Sequence, residues 1–195
     1  MSVEAKTQIL EYLGRQHEEM IALLADLVNI DSGSYNKRGV DAVGDRLRAH
    51  LEAVGIVCET IPNATYGDCM AARLPGAGDN RPIVLMGHRD TVFPDGTAAE
   101  RPFRVEGNQA YGPGVADMKS GLVMNTFVLE ALHRFGGRCP LIAFTHRMRR
   151  LPLRPRARSS RPKQRGRARC SIPSPAGRAA TSSHDARALP LSNWR

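Results

Sequence analysis

The chain has 195 residues, of which 42% are hydrophobic and 24% are charged, and its formal net charge at pH 7 is +9. This composition excludes a collagen-like protein, and no run of about 18 apolar residues exists that could form a membrane-spanning helix. The charge is unevenly distributed: residues 1–145 carry −4, whereas residues 146–195 carry +13 from fourteen basic residues and one acid. We therefore treat the chain as two regions.

Helix and strand patterns alternate along residues 1–145, which contain every Phe and Tyr of the chain. The predicted elements are a helix over 3–29, a helix over 40–54 ended by Gly55, strands over 56–61, 69–74 and 82–87, a hairpin over 103–111, a helix over 118–135 and a strand over 141–144. The continuous apolar run at 82–87 predicts a strand buried on both faces. The alternation indicates an α/β fold with a mostly parallel sheet flanked by helices.

Residues 146–195 are expected to form a disordered basic tail. They contain six prolines and a single aromatic residue, Trp194, so they bury too little apolar surface to offset the entropy of ordering. The predicted domain boundary therefore lies between residues 145 and 146. The four cysteines form no CxxC pair, which argues against a zinc ribbon or a redox motif. The N-terminus has no signal-peptide pattern, and we expect a cytoplasmic protein with reduced thiols.

Two loops carry residues suited to metal chemistry. His88 follows the predicted buried strand, and ligands bind at the carboxyl ends of strands in α/β sheets. A neutral imidazole is a good zinc ligand, and Asp90, two residues on, could orient it. Asp117 lies among small residues before a helix, where a carboxylate could bridge two metals about 3.5–4 Å apart. The alternatives are a hydrogen-bonded loop histidine at position 88 and a helix N-cap at Asp117.

Several other polar residues are expected to have no role in chemistry. His17, His50 and His133 lie on predicted helices and are interpreted as solvated, and Lys119 is interpreted as a structural or surface residue. The pair of glycines at positions 112 and 114 lacks the third glycine of a phosphate-binding loop, so we do not interpret it as one.

Taken together, the two loops resemble a zinc-dependent metallopeptidase family, that of the aminoacylases, acetylornithine deacetylase, succinyl-diaminopimelate desuccinylase and glutamate carboxypeptidase. The first motif is Gly-His-Arg-Asp-Thr-Val-Phe-Pro at 87–94, and the second is Gly-Pro-Gly-Val-Ala-Asp-Met-Lys-Ser-Gly at 112–121. The segments 95–97 and 101–105 resemble the glutamate carboxypeptidase branch in particular. The resemblance covers about residues 5–144 and implies the N-terminal part of a zinc-exopeptidase-like catalytic domain.

The resemblance also implies roles and ligands. His88 would bind one zinc ion, Asp117 would bridge two, and Asp90 would be the catalytic-site residue that orients His88. The substrate class would be small peptides or N-acyl amino acids, cleaved at the amide bond by zinc-bound water with a Glu as general base.

This sequence departs from the family pattern after the strand at 141–144. The family has a Glu-Glu pair there, but here the chain continues Thr145-His146-Arg147, and the next acid is Asp185. The general base, three further metal ligands and the dimerisation domain are therefore not found, and neither His146 nor His184 lies in a motif that would replace them. We expect a truncated, inactive hydrolase with weak or no zinc binding.

A frameshift would account for this departure. Codons that encode the segment starting at His146 can be chosen so that another frame gives Ser-Asp-Glu-Glu-Ile-Ala-Ser-Pro-Ser, which contains the expected acidic pair. We therefore hypothesise that a change of frame after Phe144 replaced the rest of a longer peptidase.

Two other functions stay open at this point. The basic tail could bind nucleic acid or another polyanion non-specifically, although it has no interleaved aromatic residues to stack on bases. Alternatively, the chain could pair with a separately encoded C-terminal half, for which the sequence gives no indication.

Overall fold

A computed structural model describes residues 2–76, 83–136, 141–146 and 189–190 of the chain. In chain order, the elements are α1 (Val3–Arg15), α2 (His17–Val28), α3 (Lys37–Ala53), β1 (Cys58–Ile61), β2 (Cys69–Leu74), β3 (Ile83–His88), α4 (Thr97–Glu100), β4 (Arg104–Glu106), β5 (Gln109–Tyr111), a π-helical turn (Val115–Lys119), α5 (Ser120–Phe135), β6 (Leu141–His146) and β7 (Leu189–Pro190). None of the helices in these ranges combines the length and the apolar character needed to cross a membrane.

The predicted helix over 3–29 is wrong at one point, because the structure divides it into α1 and α2. The break falls at Gln16, whose N–H donates to the carbonyl of Leu13 at 3.1 Å instead of to the residue four positions back. It comes two residues after Gly14, a weak helix former, and this favours an interruption there. The end of α3 is as predicted: Gly55 follows it with φ +86°, a conformation that glycine adopts readily.

The main sheet is mixed, so the prediction of a mostly parallel sheet is wrong for the part of the chain that the structure describes. The strand order is β1-β2-β6-β3, with β3 and β6 parallel and the other two pairs antiparallel. Only β3 and β6 are joined by a connection long enough to contain a crossover helix, α5. The links before and after β2 span residues 62–68 and 75–82, which is too short for a parallel crossover. The α/β class itself is confirmed.

The helices contribute the side chains that cover one face of this sheet. Met70, Ala72 and Leu74 alternate along β2 and are buried in the same core as α2, α3 and α5. The buried side chains of those helices include Leu23, Leu24, Leu27, Val43, Leu47, Leu51, Leu122, Val123, Phe127 and Leu129.

The predicted burial of β3 on both faces is wrong. Val84 is 46% exposed and Met86 is 63% exposed, whereas Gly87 is buried. A Cβ atom on Gly87 would lie 2.7 Å from Leu122 of α5, so this residue faces the helical layer and its neighbours in β3 face away. Within the described sheet, β3 is the last strand and pairs only with β6. An apolar run therefore indicated a strand correctly but did not indicate how many neighbours it has.

A second, smaller sheet contains the predicted hairpin. Strands β4 and β5 are antiparallel, with Val105 opposite Ala110, and Gly107 adopts φ +59° in the turn between them. Strand β7 adds to β5 on its other side.

Candidate metal centre

The first motif places its histidine at the carboxyl end of β3. The His88 side chain is 8% exposed, and its Nδ1 lies 2.9 Å from the backbone carbonyl oxygen of Asp90. A carbonyl oxygen only accepts hydrogen bonds, so Nδ1 carries a proton and donates it. The Oδ1 atom of Asp90 lies 3.4 Å from the same nitrogen. Asp90 therefore contacts the ring at Nδ1, through its backbone carbonyl and less closely through its carboxylate, and leaves Nε2 directed elsewhere.

A neighbouring loop holds this motif in place. The hydroxyl of Ser34 donates a hydrogen bond to Oδ2 of Asp90, whose side chain is 3% exposed. Two backbone hydrogen bonds join the same segments, one from Thr91 N–H to the Ser32 carbonyl at 2.7 Å and one from Ser34 N–H to the Thr91 carbonyl at 3.1 Å. The His88–Asp90 motif is thus attached to the loop between α2 and α3 through both backbone and side chains.

The second motif comes close to the first at a glycine. Gly114 adopts φ +77°, and a Cβ atom there would lie 2.6 Å from Cγ2 of Thr91. Glycine is therefore required on two grounds, the left-handed backbone and the close approach of the two motif loops. The π-helical turn that follows leads directly into α5.

Asp117 leaves helical geometry inside that turn, with φ −136° and ψ 91°. Its Oδ1 lies 2.9 Å from Nε2 of His88, and 63% of its side chain is exposed. The N-cap position of α5 is occupied by Lys119, without a capping hydrogen bond from a side chain. The alternative interpretation of Asp117 as a helix cap is therefore not what the structure shows. The carboxylate instead meets the histidine of the other motif.

The two carboxylates alter the protonation of His88. The hydrogen bond with the Asp90 side chain is the largest influence and raises the pKa of His88 above its usual value, and Asp117 acts in the same direction. Burial opposes them because it disfavours the charged imidazolium. In this arrangement the ring can donate from both nitrogens, one to each side of the site.

Lys119 is a buried residue that sequence reasoning did not place. It is 1% exposed, and its Nζ donates to the backbone carbonyl of Ile30 at 2.8 Å. Burial lowers the pKa of Lys119 to about 8, while the charge of Asp31 opposes the shift. Of the two interpretations of Lys119, structural or surface, the structure shows the first: Lys119 is buried and connects the second motif to Ile30, at the start of the loop between α2 and α3.

Arg89, between the two residues of the first motif, is also internal. It is 2% exposed, and burial lowers the pKa of its guanidinium. A Cβ atom on Gly44 would lie 1.8 Å from Nη1 of Arg89, so the side chain extends against α3 at a point where only glycine leaves room. No local sequence pattern identifies this contact, because the partner is a glycine in a different element.

The prediction that His50 is solvated is wrong. Its Nε2 lies 3.1 Å from Oε2 of Glu130, and its ring lies 5.0 Å from that of Phe127. Glu130 is 2% exposed and also accepts hydrogen bonds from Tyr12 and Arg134. The Glu130 carboxylate lies between α1, α3 and α5 and forms hydrogen bonds with side chains from all three helices. Helical periodicity alone does not predict these contacts.

The described residues supply part of a zinc site. Imidazole nitrogen and carboxylate oxygen are donor types that zinc binds, and His88 Nε2 and Asp117 Oδ1 face each other. Among the residues that the structure describes, no group of three or more His, Cys, Asp or Glu side chains is placed to hold a metal ion. Zinc sites need at least three protein ligands, so these two do not complete one.

Of the two histidines considered as replacement ligands, His146 is described only in its backbone and His184 is not described. The backbone of His146 pairs with that of His88 at the carboxyl ends of β6 and β3. The side chain of His146, and all of His184, lie outside the described residues. Residues 147–188 and 191–195 of the basic tail likewise lie outside them.

Comparison with known proteins finds a family that matches part of the chain. Residues 84–145 match the family described as Peptidase family M20/M25/M40. This segment contains both motifs, and the predicted resemblance to these metallopeptidases is confirmed for the N-terminal part of the chain.

Among individual relatives, Carboxypeptidase G2 from Pseudomonas sp. (strain RS-16) is 38% identical over 121 residues, which are 61% of this chain and 29% of the relative. The fold is similar to human carnosine dipeptidase 1, with a TM-score of 0.61 at 14% identity over 72% of this chain and 34% of that one. It is also similar to the M20 family metallo-carboxypeptidase Sso-CP2 from Sulfolobus solfataricus, with a TM-score of 0.56 at 16% identity over 66% of this chain and 30% of that one. The chain thus spans about a third of the length of these relatives.

Proposed function

We propose that residues 1–145 form the N-terminal part of a metal-dependent amide hydrolase, of the carboxypeptidase or N-acyl-amino-acid deacylase type. The observation that carries this proposal is the 2.9 Å approach of His88 Nε2 to Asp117 Oδ1, which joins two motifs that lie 29 positions apart in the sequence. The 38% identity to Carboxypeptidase G2 over 121 residues supports the reaction type. Small peptides or N-acyl amino acids are the proposed substrates.

In this proposal each residue has a distinct role. His88 would hold one zinc ion through Nε2 and Asp117 would be shared by two ions, while the backbone carbonyl of Asp90 accepts a hydrogen bond from Nδ1 and keeps the imidazole of His88 in position. Zinc in such sites lowers the pKa of a bound water and polarises the scissile carbonyl.

We further propose that the chain is inactive on its own. The acidic pair expected after the predicted strand at 141–144 is replaced in the sequence by Thr145-His146-Arg147, and hydrolysis of this type needs a general base. A change of reading frame after Phe144 remains the proposed origin of the basic segment 146–195. Sequencing the gene tests it: another frame must encode a Glu-Glu pair followed by peptidase-like sequence, and otherwise the frameshift proposal fails.

The activity proposal is tested by measuring zinc content and hydrolysis of an N-acyl-glutamate by the purified full chain. We expect well below one equivalent of zinc and no turnover above that of the His88→Ala variant. Robust turnover that His88→Ala abolishes would overturn the proposed inactivity. Tight zinc binding that survives both His88→Ala and Asp117→Ala would overturn the ligand assignment.

A second proposal rests on the charge of +13 over residues 146–195. Such a segment binds polyanions without sequence preference, and the affinity falls steeply with salt because counterions are released. Binding of duplex DNA at low and at raised salt, with a chain lacking residues 147–195 as control, tests it. Binding that is insensitive to salt, or equal in the shortened chain, would contradict the proposal.

A further inference from the structure

The loop between α2 and α3 makes contacts with both motifs of the candidate metal centre. The Ser34 hydroxyl donates to the Asp90 carboxylate, and the backbone of this loop pairs with Thr91 through two hydrogen bonds. At its other end the carbonyl of Ile30 accepts from Nζ of Lys119, two residues after Asp117. Residues 30–34, which we term the bridging loop, therefore touch the segments that carry His88 and Asp117 without supplying a ligand-type side chain to either.

Within this loop, Ser34 is the residue whose hydroxyl donates to the Asp90 carboxylate. Asp90 uses one carboxylate oxygen, Oδ2, for Ser34 and has the other, Oδ1, 3.4 Å from Nδ1 of His88. A carboxylate that is held at one oxygen cannot rotate freely about its terminal bond, so the second oxygen stays beside the imidazole. Ser34, Asp90, His88 and Asp117 thereby form one continuous chain of contacts.

We propose that Ser34 is a positioning residue for the candidate metal centre, acting through Asp90 to keep Nε2 of His88 directed at Asp117. The inference rests on the roles proposed above for His88 and Asp90. Ser34 itself contacts neither the metal nor the substrate in this proposal. Its contribution is to keep the Asp90 carboxylate beside Nδ1 of His88, where it supports the ring together with the backbone carbonyl of Asp90.

The same loop offers a matched control. Ser32 is 1% exposed, and its hydroxyl has no hydrogen-bond partner among the described residues. Its contact with the motif is made by the backbone carbonyl, which accepts from Thr91 N–H and is retained in Ser32→Ala. Ser32→Ala and Ser34→Ala therefore each remove one serine hydroxyl from this loop, but only Ser34→Ala removes a hydrogen bond to Asp90.

The first measurement follows the Nδ1 proton of His88 by NMR in the ¹⁵N-labelled full chain without metal. Its signal is identified by its loss in His88→Gln. We expect this proton to exchange with water about tenfold faster in Ser34→Ala, because the variant loses the hydrogen bond to the charged carboxylate that keeps Oδ1 of Asp90 beside Nδ1, and such a bond is worth about that factor. Ser32→Ala and Ser34→Thr, which retains a hydroxyl, should stay within about twofold of the unmodified chain. A general loosening of the loop would accelerate exchange in Ser32→Ala as well, and this would overturn the proposal.

If Ser34→Ala does not fold, Ser34→Cys takes its place, because a thiol is a weaker donor of similar shape. Unchanged exchange in that variant also overturns the proposal.

The second measurement is the affinity for Zn²⁺ alone. We expect Ser34→Ala to bind Zn²⁺ about tenfold more weakly, as is typical when a group that orients a metal-binding histidine is disturbed. A Zn²⁺ affinity that His88→Gln leaves unchanged would contradict the proposed ligand role of His88, while the exchange experiment still decides whether Ser34 positions His88. The two failures are thus distinguishable.

Discussion

The two motif loops of the candidate site are held in very different ways. The side chains of His88 and Asp90 are 8% and 3% exposed, and their loop is tied to the bridging loop by backbone and side-chain hydrogen bonds. The Asp117 side chain is 63% exposed and stands on a turn with irregular backbone. The first loop is therefore part of the folded core, whereas the second presents a carboxylate at the surface. A substitution in the first should cost stability, and one in the second should affect ligand binding alone.

The largest expected effect is a difference between Asp90→Ala and Asp117→Ala. Removing the Asp90 carboxylate leaves the buried Ser34 hydroxyl without its acceptor and removes the negative charge beside the His88 ring, whose bond to the Asp90 backbone carbonyl remains. We expect a loss of about 3 kcal/mol in the free energy of unfolding. Asp117→Ala removes an exposed partner and should cost less than about 1 kcal/mol. Urea unfolding of both variants measures the difference.

Asp90→Asn serves as a control for this pair, because its amide oxygen can still accept from Ser34 while the charge is lost. It should lie between the unmodified chain and Asp90→Ala in stability. Equal losses in the Asp90 and Asp117 alanine variants would show that the two loops are not held differently.

The next effect concerns Lys119, which ties the second motif to the bridging loop. Its pKa is about 8 in the folded chain, against 10.5 for an ordinary lysine, because burial disfavours its charge. Between these values the unfolded chain binds more protons than the folded chain, so stability rises with pH. Below about pH 8 both states are protonated and the contribution of Lys119 is constant.

Lys119→Met removes this titration and keeps a long side chain. We expect the free energy of unfolding of the unmodified chain to rise relative to that of Lys119→Met by about 1.4 kcal/mol per pH unit above pH 8. Denaturant unfolding of both chains across this range checks it. A difference that does not change with pH would mean that Lys119 is charged normally in the folded state.

The local elements of this fold could be predicted from sequence, and the long-range contacts could not. Strand β2 was predicted at its observed bounds, and the hairpin at β4 and β5 was recognised from its Gly107 turn. Both signals are local: an apolar run ended by Pro75, and a glycine in a turn. In contrast, Ser34 and Asp90 are 56 positions apart, and nothing in the composition of either segment indicates that a hydroxyl meets a carboxylate.

The same reasoning explains the error in β3. An apolar strand was predicted from its sequence, but whether both of its faces are covered depends on which elements pack against the sheet, and the sequence of the strand does not contain that information. A shared site for His88 and Asp117 is implied only by the resemblance to the metallopeptidase family, and periodicity gives no indication that the two residues approach each other. Lys119 was not anticipated, since its partner is a backbone carbonyl that any residue at position 30 would supply.

The smallest of the expected effects tests the ring that lies between the two loops. The pKa of His88 is raised in the folded chain, so the folded state holds its proton to higher pH than the unfolded state does. The stabilisation is fully present below the unfolded pKa of about 6.5 and is lost as the pH rises through the folded pKa. We therefore expect the difference in the free energy of unfolding between the unmodified chain and His88→Gln to become smaller as the pH is raised through this window. Denaturant unfolding of both chains measures it.

Comparing this pH dependence in Asp117→Ala separates the contributions of the two loops. The hydrogen bond with Asp90 is the largest cause of the raised pKa, and Asp117 is a smaller one. The pH dependence should thus persist, slightly reduced, when Asp117 is removed, because the buried loop still holds the imidazolium. Its complete loss in Asp117→Ala would mean that the exposed carboxylate, and not the buried one, controls the protonation of His88. The first loop would then orient the ring without setting its charge.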